Sequence, residues 1–502
     1  MLVLMVALFV LGYACIALEH PLKVDKSASA LILCAVLWTI YIFHAEELLP
    51  TLETLNLEDA NVLEKAKSMF PSIMEFKEFV AEKFADGNVE SKEKVVAFVT
   101  EVQIVEHLGD VAQTLFYLIG AMTIVELIDV HGGFTIITDK ITERSKRKLL
   151  WIVCLITFFM SAILDNLTTA IVMTMLLRKL VFDQHERWVY AGCIIISANA
   201  GGAFSPIGDV TTIMLWVKGL VTTGGLLPNL IVPSLLAMVV PIYLASFMLK
   251  GKLEGAATST DGSQSQGASL RPADVVTEAE RRHLLEYGVA ALLFVPIFKS
   301  ITHLPPFIGV LFGLGALWVY TEIMYHRKKD VPDSAKARIT RCLGRIDFAT
   351  ILFFLGILMA VATLQCSGIL QSLAGWLQAS LPNVYIIDFV IGVLSSVVDN
   401  VPLVAGCMGM YDIPTAAQLA ADPSLSDFCR DGVFWMFLAY CAGVGGSLLI
   451  IGSAAGVVVM GLEHINFVWY FKKFTLLAFA GYASGALFYV LQELVIRPML
   501  GF

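Results

Sequence analysis

A succession of long, nearly uncharged apolar runs constrains what this chain can fold into. Residues 2–18 contain no charged side chain, and comparable runs recur along the rest of the sequence. An α-helix rises 1.5 Å per residue, so about 20 apolar residues cross the hydrocarbon core of a bilayer. Because 57% of the residues are hydrophobic and only 15% are charged, the chain is predicted to be an all-α polytopic membrane protein.

The apolar runs predict where the transmembrane spans lie. The spans cover residues 2–19, 27–49, 109–130, 188–220, 226–249, 284–302, 305–325, 347–367, 432–461 and 473–496. No basic segment precedes the first run and no small-residue cleavage site ends it, which favours a retained helix over a signal peptide. Residues 50–105 mix charged and apolar positions and are predicted to form amphipathic helices in an extramembrane insert.

Basic residues predict the orientation of the spans. Lysines and arginines cluster at 140–148, at 178–187 and at 327–329. The positive-inside rule places these loops in the cytoplasm. The loop at 412–431 is acidic apart from Arg430 and is predicted to lie outside, together with both termini.

Two further apolar stretches do not fit a simple span. Stretch 149–181 has basic residues at both ends, so it is predicted to begin and end on the same side of the membrane. Its length of about 33 residues is too long for one crossing and too short for two. We therefore predict a re-entrant helical hairpin with the pair Asp165–Asn166 (the first tip) at its turn. Stretch 383–408 is predicted to form a second hairpin, entered from outside, with the pair Asp399–Asn400 (the second tip).

An internal repeat relates the two halves of the chain. LFYLIG at 115–120 resembles LFFLG at 352–356, NAGGAFSPIGD at 199–209 matches GVGGSLLIIGS at 443–453, and the two tips match each other. Combined with the predicted orientation, this indicates two inverted repeats with re-entrant hairpins and broken transmembrane helices. The first repeat covers 1–249 and the second covers 284–502, joined by a polar cytoplasmic linker at 250–283.

Glycine-rich interruptions break two of the predicted spans. Residues 201–209 interrupt run 188–220, and residues 445–453 interrupt run 432–461 in the matching place. Broken helices leave backbone carbonyls and amides free near the bilayer midplane, where they can coordinate ions. Pairing each tip with the neighbouring break predicts two cation- and proton-binding sites. The first contains Asp165, Asn166, Thr168, Asn199 and Asp209, and the second contains Asp399, Asn400, Gly452 and Ser453.

Oxygen atoms dominate both predicted sites. Carboxylate, amide and hydroxyl oxygens suit a hard cation, and neither the tips nor the breaks contain the His or Cys ligands of softer metals. Carboxylates attract Na⁺, Li⁺ and protons, which would compete for the same oxygens. The residues expected to hold Na⁺ or Li⁺ are Asp165, Asn166, Asp209, Asp399 and Asn400. No cofactor is expected beyond the transported ions.

The candidate residues also have purely structural interpretations. Asp165, Asp209 and Asp399 are placed to cap half-helices. Glycine-rich breaks are also common where helices cross closely. Asp388 and Glu463 lie near the ends of predicted segments and are expected to be solvated.

Several functional classes are disfavoured. The chain shows no pair of nucleophile and base and no metal-ligand cluster at helical spacing, so it is not expected to be an enzyme. The nine cysteines include no CxxC pair and several lie in apolar runs, which predicts core residues rather than disulfides or zinc ligands. A sequence pI near 5.5 gives no indication of nucleic-acid binding.

The motif NAGGAFSPIGDVTTIMLW at 199–216, together with the two tips, closely resembles the NhaD family of sodium/proton antiporters in the wider ion transporter superfamily. The resemblance extends from about residue 100 to the C-terminal end, apart from the linker. Dicarboxylate carriers of this superfamily have Ser-Asn-Thr at the tips. Asp165 and Asp399 in place of that serine argue against a Na⁺-coupled dicarboxylate carrier.

This resemblance implies extrusion of Na⁺ and Li⁺ driven by inward proton movement, for salt tolerance and pH homeostasis. It also implies a homodimer in the lipid of a bacterial inner membrane, with the hairpins and broken helices forming a moving transport domain. Asp165, Asn166, Asp209, Asp399 and Asn400 occupy the matching motif positions. The second break carries Ser453 where the first carries Asp209, which leaves open whether one half or both halves bind an ion.

An alternative hypothesis keeps the fold and changes the transported species. Arsenite and silicic-acid exporters of the same superfamily carry similar AspAsn tips. In that case the aspartates would carry protons only, and the chain would be a proton-coupled exporter of a neutral or anionic oxyacid such as arsenite.

Overall fold

A computed structural model describes the chain except for residues 18, 54–69, 71, 85–88, 139–140, 142, 254–274, 329–330, 333–335, 382, 398 and 501–502. Most of the predicted linker at 250–283 and part of the predicted insert at 50–105 therefore lie outside the described residues.

The first half of the described chain is built of helices. Their bounds are Leu2–Ala17, Glu19–Leu22, Lys26–Glu53, Ile73–Lys83, Ser91–Phe98, Ile104–Val130, Thr135–Thr138, Lys146–Leu164, Asn166–Leu180, Gln184–Ala203, Val210–Val217 and Thr223–Ser246. A π-helical turn at Val99–Gln103 makes the chain helical without a break from Ser91 to Val130.

The second half is built in the same way. Its α-helices are Glu278–Thr302, Pro306–His326, Ile339–Leu343, Phe348–Cys366, Ile369–Ser380, Val384–Leu394, Asn400–Met410, Ala416–Ala421, Val433–Gly445, Ala454–Glu463, Phe467–Lys473, Thr475–Leu491 and Arg497–Leu500. A 3₁₀-helix covers Pro423–Phe428 and a second π-helical turn covers Gln492–Ile496.

The helices are of the length and composition that a membrane protein requires. Among the described residues, eight helices are long and apolar enough to cross a bilayer, or ten if each of two bent helix pairs counts as one span. The same residues contain no β-strand, and an isolated bridge joins Ser145 and Lys252. The prediction of an all-α polytopic membrane protein is confirmed.

Local sequence explains where several helices begin. Thr277 forms a capping box with Glu280, because each side chain accepts a hydrogen bond from the backbone amide of the other residue. Asp183 accepts from the amide of Glu186 at 2.7 Å and so caps the helix that starts at Gln184. These caps satisfy amides that the first turn of a helix leaves without an intrahelical partner.

The chain divides into two compact units, and each draws on both halves of the sequence. Unit 1 comprises Met1–Leu115, Asp347–Ile387 and Val401–Cys429, and unit 2 comprises Phe116–Ile346, Asp388–Asn400 and Arg430–Phe502. The predicted repeats at 1–249 and 284–502 describe a sequence relation rather than these packing units, and they stay a prediction.

Unit 1 is organised around the long helix Lys26–Glu53. This helix packs against Leu2–Ala17, Ser91–Phe98 and Phe348–Cys366. The indole of Trp38 donates a hydrogen bond to a backbone carbonyl of the last of these helices at 3.0 Å. Helix packing and this hydrogen bond thus hold together helices that are distant in sequence.

Unit 2 is organised around the helix Gln184–Ala203. Fifteen consecutive residues of this helix, from Val189 to Ala203, are buried. It packs against Lys146–Leu164, Asn166–Leu180, Val433–Gly445 and Ala454–Glu463. The central helix therefore contacts segments from both predicted repeats.

Candidate functional site

The first tip lies at a sharp break between the helices Lys146–Leu164 and Asn166–Leu180. Asp165 has φ of 116°, a conformation that L-residues rarely adopt. Its carboxylate caps the second helix by accepting from the amide of Thr168 at 2.7 Å and from the Thr168 hydroxyl at 2.9 Å. Such strained residues often occur at functional sites.

The first break joins the tip through Asp209. The helix Gln184–Ala203 ends before this break, and Asp209 caps the half-helix Val210–Val217. One carboxylate oxygen accepts from the amide and hydroxyl of Thr211 at 2.9 and 2.7 Å, and the other accepts from the Asn166 amide group. Asp209 is 1% exposed, so its carboxylate is held almost entirely by protein donors.

Asn199 connects the first tip to the second break. Its side-chain oxygen accepts from Asn166 at 3.1 Å. Its side-chain nitrogen donates to the hydroxyls of Ser447 and Ser453, each at 2.9 Å. Because Asn199 is fully buried, these bonds satisfy polar groups that water does not reach.

The second break is built around Ser453. Its side chain caps the half-helix Ala454–Glu463 by accepting from the amide of Gly456 at 3.2 Å. Gly452 packs closely against the backbone of Ser396, with no room for a side chain. Ser453 is 2% exposed. The hydrogen bond from Asn199 therefore reaches a serine that is closed off from solvent.

The second tip belongs to the same region of unit 2. Asn400 is buried at the start of its helix, and Asp399 is partly exposed. Asp399 lies within electrostatic range of Asp209, which in turn lies within range of Asp165. This region of unit 2 therefore contains three carboxylates: Asp165 and Asp399 at the two tips, and Asp209 at the first break.

Hydrogen bonds connect the first predicted site to the second break. The hydrogen bonds of Asn199 link Asn166 and Asp209 of the first predicted site to Ser453 of the second. Thr168 is tied to the cluster only through Asp165. We refer to Asp165, Asn166, Asn199, Asp209, Asp399 and Ser453 as the polar cluster.

The polar cluster offers oxygen ligands rather than a preformed metal cage. Within the described residues, no group of three or more His, Cys, Asp or Glu side chains is close enough to hold a metal ion. An alkali cation bound here would take one or two carboxylates and complete its shell with amide, hydroxyl and backbone oxygens. A ligand set of low total charge suits an ion that must be released again.

Two acidic residues are placed differently from the prediction. Asp388 is fully buried and Glu463 is 1% exposed, so the expectation that both are solvated is wrong. Glu463 forms ion pairs with Arg178 and Arg187, with Nε to carboxylate distances of 2.7 and 2.9 Å. These arginines are more than 270 residues away in sequence, and no local pattern signals the pairing.

Comparisons with known proteins show the family to which the chain belongs. The family model described as "Citrate transporter" (CitMHS) matches residues 13–426. Sodium/proton antiporter 2 of Arabidopsis thaliana is 38% identical over 488 residues, which cover 97% of this chain and 98% of that protein. The Na⁺/H⁺ antiporter NhaD of Alkalimonas amylolytica is 32% identical over 420 residues, covering 77% of this chain and 78% of that protein.

The chain belongs to the NhaD family of sodium/proton antiporters. The resemblance carried by the motif at 199–216 and the two tips is thereby confirmed. Sodium/proton antiporter 1 of Arabidopsis thaliana is 45% identical over 386 residues, and the match spans 76% of this chain and 62% of that protein. All of these names are those of transporters rather than enzymes.

Proposed function

We propose that this protein exchanges cytoplasmic Na⁺ or Li⁺ for external protons by alternating access. The observation that carries the proposal is the position of Asn199, whose side chain joins the first tip to the second break inside a buried cluster. Oxygen ligands from both predicted repeats then act on one ion. The relatives named as sodium/proton antiporters support Na⁺ and protons as the transported ions.

Protons and cations compete for the same carboxylates, and this competition couples the movement of one to the movement of the other. Asp165, Asp209 and Asp399 influence one another electrostatically, so a proton or a cation bound at one of them lowers the negative charge felt by the others. Binding of Na⁺ would then displace protons, and protonation would displace Na⁺. When a site that binds only one species at a time alternates between the two sides, it catalyses exchange.

The wider setting follows from the inverted-repeat interpretation. We propose that the two tips are re-entrant and that the broken helices move together as a transport domain. The same proposal places a homodimer in a bacterial inner membrane, with both termini outside and the basic loops in the cytoplasm. The relatives that support the cargo come from bacteria and from a plant.

One observation favours the second candidate, proton-coupled export of an oxyacid such as arsenite. Three helix N-termini begin at the polar cluster, at Asn166, Val210 and Ala454. Helix N-termini favour anions. However, the side chains of Asp165 and Asp209 already cap two of these ends, which leaves them less able to receive an anionic substrate.

Exchange in proteoliposomes with a trapped pH dye distinguishes the two candidates. Addition of Na⁺ or Li⁺ to wild-type protein is expected to change the internal pH, whereas K⁺ and arsenite are expected to have no effect. Asp165→Asn and Asp399→Asn are each expected to abolish the response while the protein inserts normally. A response to arsenite without any response to Na⁺ or Li⁺ would overturn the antiporter proposal.

Asp347 provides a matched control for the variant at Asp165. It caps the helix Phe348–Cys366 by accepting from the amide and hydroxyl of Thr350, the same arrangement that joins Asp165 to Thr168. Asp347 is exposed and lies in unit 1. Asp347→Asn is expected to retain exchange, which separates loss of a cap from loss of an ion ligand.

A further inference from the structure

An ion triad around a buried carboxylate lies in unit 2 away from the polar cluster. The carboxylate of Glu463 is 1% exposed and accepts from Arg178 Nε at 2.7 Å and from Arg187 Nε at 2.9 Å. Arg178 also donates to the carbonyl of Leu462, and the indole of Trp188 donates to the carbonyl of Glu463 at 3.0 Å. Each carboxylate oxygen therefore has its own guanidinium partner.

The triad joins three helices that also meet at the polar cluster. Arg178 belongs to the helix that begins at Asn166, Arg187 to the helix that contains Asn199, and Glu463 ends the half-helix that Ser453 caps. At 1.5 Å per residue, the triad lies about 15–18 Å along each helix from the cluster. Side-chain contacts therefore join the same three helices at two places, at the polar cluster and at the triad.

This arrangement links the triad to the ion ligands through rigid elements. The Asn199 bonds to Asn166 and to Ser453 span the same three helices that Glu463 connects. If one helix slides or tilts, the distances within the polar cluster change with it. A helix transmits such a displacement along its length because its backbone hydrogen bonds resist stretching.

We propose that Glu463 is a positioning residue for cation binding, acting through Arg178 and Arg187 to keep the helices of the polar cluster in register. The inference rests on the proposed cation exchange. Glu463 itself touches neither the transported ion nor a residue of the cluster. Its loss should therefore weaken the affinity for Na⁺ and leave the maximal rate of exchange nearly intact.

The principal test is Glu463→Gln, which keeps the shape of the side chain and removes its charge. The two arginines remain partly exposed, with 40% and 20% of their side-chain surface accessible, so water can solvate them in the variant. The KM for Na⁺ is expected to rise roughly tenfold, with a maximal rate within about twofold of wild type. The expected increase in thermal stability caused by Na⁺ should require correspondingly more Na⁺.

Glu280→Gln serves as the control. Glu280 also forms a half-buried ion pair, with Lys328 at 2.5 Å, but it lies on the helix Glu278–Thr302, which contributes no residue to the polar cluster. Glutamine at this position can still accept in the capping box with Thr277. Its KM for Na⁺ is expected to equal that of wild type.

Two milder variants keep the proposal testable if Glu463→Gln fails to fold. Arg178→Lys keeps the positive charge but lacks the planar fork of donors with which Arg178 binds the carboxylate and the Leu462 carbonyl, and a KM increase of roughly threefold is expected. Trp188→Phe keeps an aromatic ring beside Trp469 but removes the bond to the Glu463 carbonyl, and it should have a smaller effect.

The outcomes separate this inference from the proposed function. If wild-type protein neither exchanges Na⁺ nor is stabilised by it, the proposed function fails. If wild type exchanges Na⁺ and the variants lower only the amount of folded protein or the maximal rate, with KM unchanged, the triad is merely structural and the inference is overturned.

Discussion

The first break and the second break repeat one backbone arrangement with different side chains. Ser161 donates to the carbonyl of Ala198 at 2.5 Å, and Ser395 donates to the carbonyl of Ala442 at 2.9 Å. A side chain at Gly201 would overlap a carbonyl oxygen of the neighbouring hairpin helix, and the same holds at the matching glycine of the second break. The hairpin helix therefore approaches the broken helix in the same way in both halves.

The side chains proposed as ion ligands differ between the two breaks, although the backbones agree. Asn199 and Asp209 in the first half correspond to Gly443 and Ser453 in the second. The charge at the breaks is thus concentrated in the first half, and the Asn199 side chain crosses to the second half to bind Ser453. The symmetry of the backbone positions the two breaks, whereas the proposed ion ligands at the breaks are unequal.

Of the substitutions at the two breaks, Asp209→Ser should have the largest effect, because it makes the first break resemble the second. Serine can still cap the half-helix, but the proposed charged ligand is lost. Since a hydrogen bond or contact to a charged group contributes about 1.5–3 kcal/mol, the apparent affinity for Na⁺ should fall roughly 10- to 150-fold. Exchange measured over a range of Na⁺ concentrations checks this.

Asp183→Ser is the control for that variant, because Asp183 also caps a helix, at the start of Gln184–Ala203 and away from the polar cluster. It should leave the KM for Na⁺ unchanged. If Asp209→Ser exchanged Na⁺ with wild-type affinity, the charge of the first break would not take part in binding.

Asn199→Ala should rank next, since it removes the side-chain link between the first tip and the second break. A buried donor of Asn166 and the hydroxyls of Ser447 and Ser453 would lose a partner. Leaving buried polar groups unpaired costs about 1–3 kcal/mol, which should appear as lower thermal stability and a higher KM for Na⁺.

Ser197→Ala provides the comparison on the same buried helix. The Ser197 hydroxyl donates only to the carbonyl of Cys193, one turn earlier. Its loss should change stability little and leave KM as in wild type. Equal effects of the two variants would show that Asn199 has no special role.

Gly201→Ala and Gly445→Ala test whether the two backbones are equivalent. The added methyl group would overlap the carbonyl oxygen of Phe158 in the first case and that of Gly392 in the second. Each substitution should destabilise the protein by about 1–3 kcal/mol, measured as a lower midpoint of thermal unfolding. Gly461→Ala, where the methyl group meets open space, should instead be neutral or stabilise the half-helix by up to about 1 kcal/mol. A large effect at only one of the two matched glycines would contradict the equivalence.

Ser453→Ala should have the smallest effect on cation affinity. Loss of a helix cap typically costs about 1 kcal/mol, so the KM for Na⁺ should rise by at most roughly fivefold. A KM increase larger than that of Asp209→Ser would reverse the assignment and place the dominant ligand in the second half.

Much of the architecture could be predicted from the sequence because it depends on local patterns. Apolar runs of sufficient length must form helices in lipid, where each backbone polar group needs an internal partner. The breaks after Asp165 and before Asp209 were signalled by AspAsn and Gly-rich segments inside such runs. Asp and Ser at the starts of half-helices are the residues that cap helices well, so the positions of the tips and breaks follow from local chemistry.

Which residues distant in sequence contact each other depends on the tertiary structure. The sequence assigns Asn199 to the first site and Ser453 to the second, whereas the packing of the central helix against both repeats brings these side chains within 2.9 Å. Similarly, the sequence predicts that Glu463 is solvated near the end of a span. In the structure Glu463 is buried and forms ion pairs with Arg178 and Arg187. Helical periodicity fixes which face a residue occupies on its own helix, but the partner on another helix depends on how the helices cross, and that information is not contained in any local pattern.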